Sequence, residues 1–155
     1  LAVKVVLGVA MMPAAHAYDL TGSWVGKWSC KGFDGAKFSE GNASSTMVVT
    51  QTGDSMAVVI DGGEFRYNGA AIPDSVKPEK GEGVLHQCGT TNLPLQVAES
   101  EIFRVSVKTK PGALKATLKG LSIFDNADGG PSVGTCKYTY KRVDLANPNV
   151  AGCPL

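Results

Sequence analysis

Histidine, paired cysteines and the signatures of common enzymes are scarce or missing in this chain. It contains only two histidines, and its four cysteines form no C-x-x-C pair, so neither a zinc site nor a haem attachment motif can be assembled. No G-x-S-x-G, H-E-x-x-H or P-loop motif occurs either. We therefore expect a noncatalytic protein that needs no metal and no cofactor.

An excess of charge of either sign is also missing. The chain carries 15 basic and 14 acidic side chains, and one of the basic ones, Lys4, belongs to an N-terminal segment that we expect to be removed. A sum near zero produces no long-range field, which argues against nucleic acid as a partner and against attraction to anionic membranes. A small molecule or another protein remains as the expected partner.

The N-terminus has the features of an export signal. Lys4 precedes an apolar stretch, 5–12, and Ala15-His16-Ala17 is a small-x-small sequence of the kind that signal peptidases cleave. The stretch is too short to remain as a membrane anchor, so we expect no membrane span after cleavage. We predict a signal peptide over 1–17, a single mature domain over 18–155, and a periplasmic or extracellular location.

After residue 17 the chain lacks the apolar spacing of helices and shows period-two alternation between turn signals. Short Gly-containing turns, such as Gly62-Gly63 and Pro111-Gly112, suit antiparallel hairpins. The pattern predicts an all-β domain with eight strands, over 22–30, 46–51, 55–61, 64–71, 83–88, 102–110, 113–124 and 133–142.

Alternation also assigns the two faces of each strand. The side chains predicted to point inward are Met47, Val49, Met56, Val58, Ile60, Phe65, Tyr67, Phe103, Val105 and Val107. In the seventh strand, Leu121 and Ile123 fall out of phase with Leu118. A β-bulge near Lys119-Gly120 would restore the phase, and we predict one there.

The first and last predicted strands indicate whether the sheet closes on itself, because closure requires that they pair with each other. Placing Cys30 opposite Cys136 in an antiparallel pair puts three further pairs on the same face, which are Trp28 with Tyr138, Gly26 with Tyr140, and Trp24 with Arg142. Polar side chains then fall together on the other face. This register predicts an eight-stranded antiparallel up-and-down β-barrel, with Trp24, Trp28, Tyr138 and Arg142 at its floor. A two-sheet β-sandwich is the alternative.

All four cysteines follow the predicted cleavage site, and an exported protein is expected to oxidise them. The register joins Cys30 to Cys136. Elimination leaves Cys88 to pair with Cys153.

The opening Asp19-Leu-Thr-Gly-Ser-Trp24 resembles the G-x-W start of the calycin group, which includes lipocalins, avidins and fatty-acid-binding proteins. In those families the first-strand Trp packs at the barrel floor under an Arg or Lys of the last strand, and Trp24 and Arg142 match these positions. The resemblance implies a lipocalin-like or avidin-like barrel. No Trp follows Trp28, so the later tryptophans that stack on biotin in avidins are missing.

Three functions stay open at this point. The first is a binding protein that holds a small hydrophobic ligand inside the barrel. The ligand is expected to enter beside the connections 68–82 and 89–101. Its expected ligand-binding residues are Met56, Val58, Phe65, Tyr67, His86, Phe103 and Val105, with Tyr67 and His86 as the polar contacts. The second is a protease-inhibitor-like or envelope protein-interaction module, because bacterial periplasmic metalloprotease inhibitors resemble this chain in size, export and barrel. The third is a small enzyme that uses His86.

Overall fold

The computed structural model of the chain describes residues 19–34, 37–63, 65–88, 98–110, 113–126, 130–145, 150 and 153. Its elements are β1 (Gly22–Asp34), β2 (Lys37–Thr52), β3 (Ser55–Ile60), a short 3-10 turn (Asp61–Gly63), β4 (Phe65–Pro73), β5 (Lys80–Gln87), β6 (Ala98–Lys110), β7 (Ala113–Asn126) and β8 (Gly130–Asp144). No helix in this part of the chain is long and apolar enough to cross a membrane. The predicted signal peptide and its cleavage site lie outside the described residues.

The sheet closes on itself. Each strand pairs antiparallel with the next, and β8 pairs with β1, so the predicted up-and-down barrel is confirmed and the sandwich is excluded. The register at the closure is the predicted one, with Cys30 opposite Cys136 and Trp24 opposite Arg142. Both predicted disulfides, Cys30–Cys136 and Cys88–Cys153, are present as well.

Strand β7 pairs without any bulge. Its register is constant against β6 from Ala113 to Asp125 and against β8 from Lys115 to Asn126, so the bulge predicted near Lys119-Gly120 is wrong. Ser122 therefore faces inward, whereas Leu121 and Ile123 face outward with 39% and 41% of their surface exposed. A bulge would have disrupted ladder hydrogen bonds on both sides of β7, and exposing two apolar side chains avoids that loss.

Trp24 closes one end of the barrel. Its indole is 1% exposed, and its Nε1 donates a hydrogen bond to the carbonyl oxygen of Leu20 at 2.9 Å. The Arg142 guanidinium lies 5.6 Å from the centre of the Trp24 ring, and its Nη1 donates to the carbonyl oxygens of Asp19 and Thr21. A cation–π contact of this kind contributes roughly 0.5–2 kcal/mol. The segment before β1 is thereby held beneath the barrel.

Apolar side chains fill the half of the barrel above this floor. Four of the predicted ligand contacts, Met56, Val58, Phe103 and Val105, are at most 5% exposed and belong to this packed core. Gly26 leaves room for Tyr140 on the neighbouring strand, because a Cβ there would lie 2.7 Å from a Tyr140 ring atom. The remaining core residues are Leu20, Met47, Val49, Tyr67, Ala71, Leu85, Val107, Ala116 and Leu118.

Successive connections of an up-and-down barrel lie at opposite ends. The β4–β5 turn lies at the Trp24 end, whereas β5 ends and β6 begins at the other end; residues 89–97 lie outside the described part. The prediction that 68–82 and 89–101 flank one entrance is therefore wrong. Much of 68–82 is strand, and its turn is held by Asp74, whose carboxylate accepts hydrogen bonds from the Lys77 and Val76 amides. These bonds hold the pKa of Asp74 below its usual value.

Replacing Trp24 by Ala should destabilise the barrel by about 3–5 kcal/mol, because the variant loses a fully buried indole and its contact with the Arg142 guanidinium. Denaturant unfolding with the disulfides intact measures this change. Trp28→Ala is the matched control, since Trp28 is only partly buried and should lose less. Equal losses in the two variants would contradict the role of Trp24 as the floor.

Candidate ligand cavity at the open end of the barrel

The end of the barrel away from Trp24 is hollow. A cavity of about 470 Å³ opens there, between β1, β2, β4, β7, β8 and the turn that joins β3 to β4. This volume lies within the range of roughly 300–1,000 Å³ that small-molecule sites occupy. Its aromatic and aliphatic lining consists of Trp28, Phe33, Ile60, Phe65, Tyr67, Val133 and Tyr138.

The cavity exists because the inward positions near this end are small. Alternation along β1, β2, β7 and β8 turns glycines and serines toward the axis, and the Cys30–Cys136 disulfide forms part of the wall. The phase of β7 is decisive, because a bulge would have brought Leu121 and Ile123 inside in place of Ser122. The small lining residues are Gly32, Ser39, Gly41, Ser45, Ser122, Ser132 and Gly134.

Tyr138 and Ser45 line the site, and Tyr140 contacts both of them. The rings of Tyr138 and Tyr140 stack nearly parallel, 6.4 Å apart, and the Tyr140 hydroxyl is hydrogen-bonded to Ser45 Oγ at 2.9 Å. Trp28 approaches β2 closely because Gly41 has no side chain there. Trp28 and Tyr138, predicted at the floor together with Trp24, thus line the cavity instead.

Sequence reasoning missed Gln87, the polar residue that distinguishes this interior. Its side chain is 2% exposed, and neither Oε1 nor Nε2 has a hydrogen-bond partner among the described residues. Gln87 lies on the inward face opposite Tyr67, which lines the cavity. An unpaired buried amide destabilises a protein by about 1–3 kcal/mol, and such groups are rare unless another molecule satisfies them.

His86, predicted as a polar ligand contact, is on the outside. Strand β5 turns Leu85 and Gln87 inward, while Val84 and His86 are exposed. Each of the two faces of this strand carries an apolar residue, Val84 on one and Leu85 on the other. The alternation pattern therefore could not identify the inward face, and the prediction that Val84 and His86 point inward is wrong. His86 therefore does not face the interior of the barrel.

Of the seven predicted ligand contacts, Phe65 and Tyr67 line the cavity. In the described part of the chain, no group of three or more His, Cys, Asp or Glu side chains is placed to hold a metal ion.

No protein family, curated protein or solved structure matches this chain. The geometry of the barrel and its cavity must therefore support any functional conclusion.

Replacing Gln87 by Leu should stabilise the ligand-free protein by about 1–3 kcal/mol, because an apolar side chain of similar size removes an unpaired buried amide. Gln51→Leu is the control. The amide of Gln51 accepts a hydrogen bond from Leu20 N and donates one to Gly53 O, both at 3.0 Å, so this variant should lose stability. Thermal unfolding of both variants measures the difference, and destabilisation by Gln87→Leu would contradict the assignment.

Proposed function

We propose that this protein is a noncatalytic, exported binding protein whose ligand is a small apolar molecule with one uncharged polar group. The observation that carries the proposal is the cavity of about 470 Å³, together with the buried amide of Gln87 on the strand position opposite the cavity-lining Tyr67. One end of the barrel is rigidly closed by Trp24, while the other end is open and mostly apolar. This arrangement suits the capture of a molecule from one side.

The lining favours a ligand with an apolar body. Trp28, Phe65 and Tyr138 offer ring surfaces, and small residues leave the space between them unfilled. A mainly hydrophobic wall with a few directed polar groups is typical of small-molecule sites.

The polar end of the ligand is suggested by the chemistry of Gln87. A carboxamide offers one acceptor oxygen and a donor NH₂ group, so it pairs best with a group that both donates and accepts, such as a protonated carboxyl, an amide or a hydroxyl. No charged side chain is buried inside the described part of the barrel, which disfavours an ionised head group. The charged residues Lys31, Glu40 and Asp61 border the cavity only toward its opening.

Two further features are compatible with this proposal. The Trp24–Arg142 contact is the arrangement that the calycin resemblance implies, and many members of that group bind small molecules inside a barrel. Two disulfides suit an oxidising compartment outside the cytoplasm.

A fluorescent fatty alcohol whose emission depends on polarity should bind saturably to the oxidised protein. Ser122→Trp should abolish this binding, because the indole would fill the cavity from its wall. Leu121→Trp places the same side chain on the outer face of the same strand, and binding should persist. Fluorescence titration distinguishes the two variants. Equal binding by both, or none by the unmodified protein, would contradict the proposal.

Gln87→Leu should raise the melting temperature and at the same time lower ligand affinity by about tenfold, because the polar group of the ligand loses its hydrogen bonds. The two effects have opposite signs, which separates a ligand contact from a merely structural residue. Calorimetric titration with an amphipathic ligand measures the second effect. A higher melting temperature with unchanged affinity would show that the ligand does not use Gln87.

A further inference from the structure

Charge is unevenly distributed over the outer wall of the barrel, although its sum is close to zero. On β6, β7 and β8, cations lie directly opposite each other in two rows, which are separated by the row Ser106–Thr117–Thr139. We call these the lysine rows: Arg104–Lys119–Lys137 and Lys108–Lys115–Lys141, all of them exposed. Glu82 of β5 pairs with Arg104 at 3.4 Å, and none of the five lysines has an ion-pair partner among the described residues.

Folding alone gives no reason for the lysine rows. Like charges directly opposite each other across a sheet destabilise it, and here two such pairs, Lys119 with Lys137 and Lys115 with Lys141, join β7 to β8. The opposite wall, formed by β2, β3 and β4, shows no comparable rows among its described residues. A concentrated cationic surface of this kind is suited to an anionic partner.

An apolar band lies beside the lysine rows, toward the open end of the barrel. We call it the apolar stripe. Ile123, Val133, Phe33 and Phe38 are consecutive cross-strand neighbours on β7, β8, β1 and β2. Leu121, two residues from Ile123 on the same face, continues the band to Ile102 of β6.

The members of the apolar stripe are 39–60% exposed, which is unusual for a continuous row of large apolar side chains. The rings of Phe33 and Phe38 meet edge to face, 5.8 Å apart, at the end of the β1–β2 pair where β2 extends beyond β3.

We propose that this wall docks on an anionic membrane surface, with the apolar stripe entering the boundary between headgroups and acyl chains and the lysine rows contacting anionic headgroups. Charge complementarity selects the partner, because a lipid surface offers both negative charge and apolar depth in one layer. Nucleic acid would satisfy the lysine rows but would leave the apolar stripe in water.

The position of the stripe links the docking surface to the cavity. Phe33 and Val133 belong to the stripe and also border the cavity opening. Docking would therefore bring the open end of the barrel to the lipid surface. The docking proposal itself does not depend on the proposed ligand and can be tested without it.

The test is cosedimentation of the oxidised protein with vesicles made of equal parts phosphatidylglycerol and phosphatidylcholine, and with vesicles of phosphatidylcholine alone. We expect binding to the anionic vesicles and much weaker binding to the neutral ones. Lys119→Glu combined with Lys137→Glu should weaken anionic binding by about tenfold or more. Arg66→Glu on β4 combined with Lys77→Glu in the β4–β5 turn changes the net charge equally outside the lysine rows and should leave binding nearly unchanged.

A second pair of variants tests the apolar stripe. Phe33→Ser combined with Val133→Ser should remove the part of vesicle binding that survives high salt, while Ile72→Ser combined with Val76→Ser, which alters exposed apolar residues elsewhere, should not. Melting temperatures confirm that each variant is folded.

Three outcomes would overturn the proposal. The first is absence of binding to anionic vesicles, and the second is equal weakening by the lysine-row variant and by its control at Arg66 and Lys77. The third is tighter binding to duplex DNA or to a soluble acidic protein than to the vesicles, which would assign the lysine rows to a different partner. Binding that is insensitive to the loss of Phe33 and Val133 would overturn the assignment of the apolar stripe.

Discussion

Every strand of a closed barrel is hydrogen-bonded on both sides, so none can change its phase without breaking bonds to two neighbours. This constraint applies to β7. Its apolar residues occupy even-numbered positions up to Leu118 and odd-numbered positions from Leu121, whereas the pairing of its backbone with β6 and β8 is constant. The regular backbone pairing is kept, so Ser122 lies inside the barrel while Leu121 and Ile123 lie outside. One constraint therefore produces both the empty space within the open end and part of the apolar stripe on the outer wall.

The barrel divides into a stabilising half and a half that carries the candidate site. Trp24, Leu20 and Arg142 close one end, and densely packed apolar side chains above them supply most of the stability that a domain of this size needs. The other end tolerates a cavity and the unpaired amide of Gln87, both of which lower the stability of the ligand-free protein. Features that weaken a fold without a structural reason are often those on which binding depends.

The two proposals meet at the open end. Phe33 and Val133 border the cavity and also belong to the apolar stripe, so the entrance of the proposed site coincides with the edge of the proposed docking surface. A ligand with an apolar body is sparingly soluble in water and would be encountered mainly in lipid. A binding protein whose cavity opening lies against the membrane would shorten the distance that such a molecule travels through water.

The sequence by itself favoured the barrel, because the alternation of eight segments and the positions of Cys30 and Cys136 gave a self-consistent register at the closure, whereas the tertiary structure excluded the sandwich. It also determined the contact of Trp24 with Arg142, since residues paired across that register must share a face. Tertiary structure decided what the sequence left ambiguous. Where both phases of a strand carry apolar residues, as with Val84 and Leu85, pairing with neighbouring strands chooses the face, and this placed Gln87 inside and His86 outside. The separation of charge onto one wall likewise depends on which strands become neighbours, and a sum of charges along the chain does not contain that information.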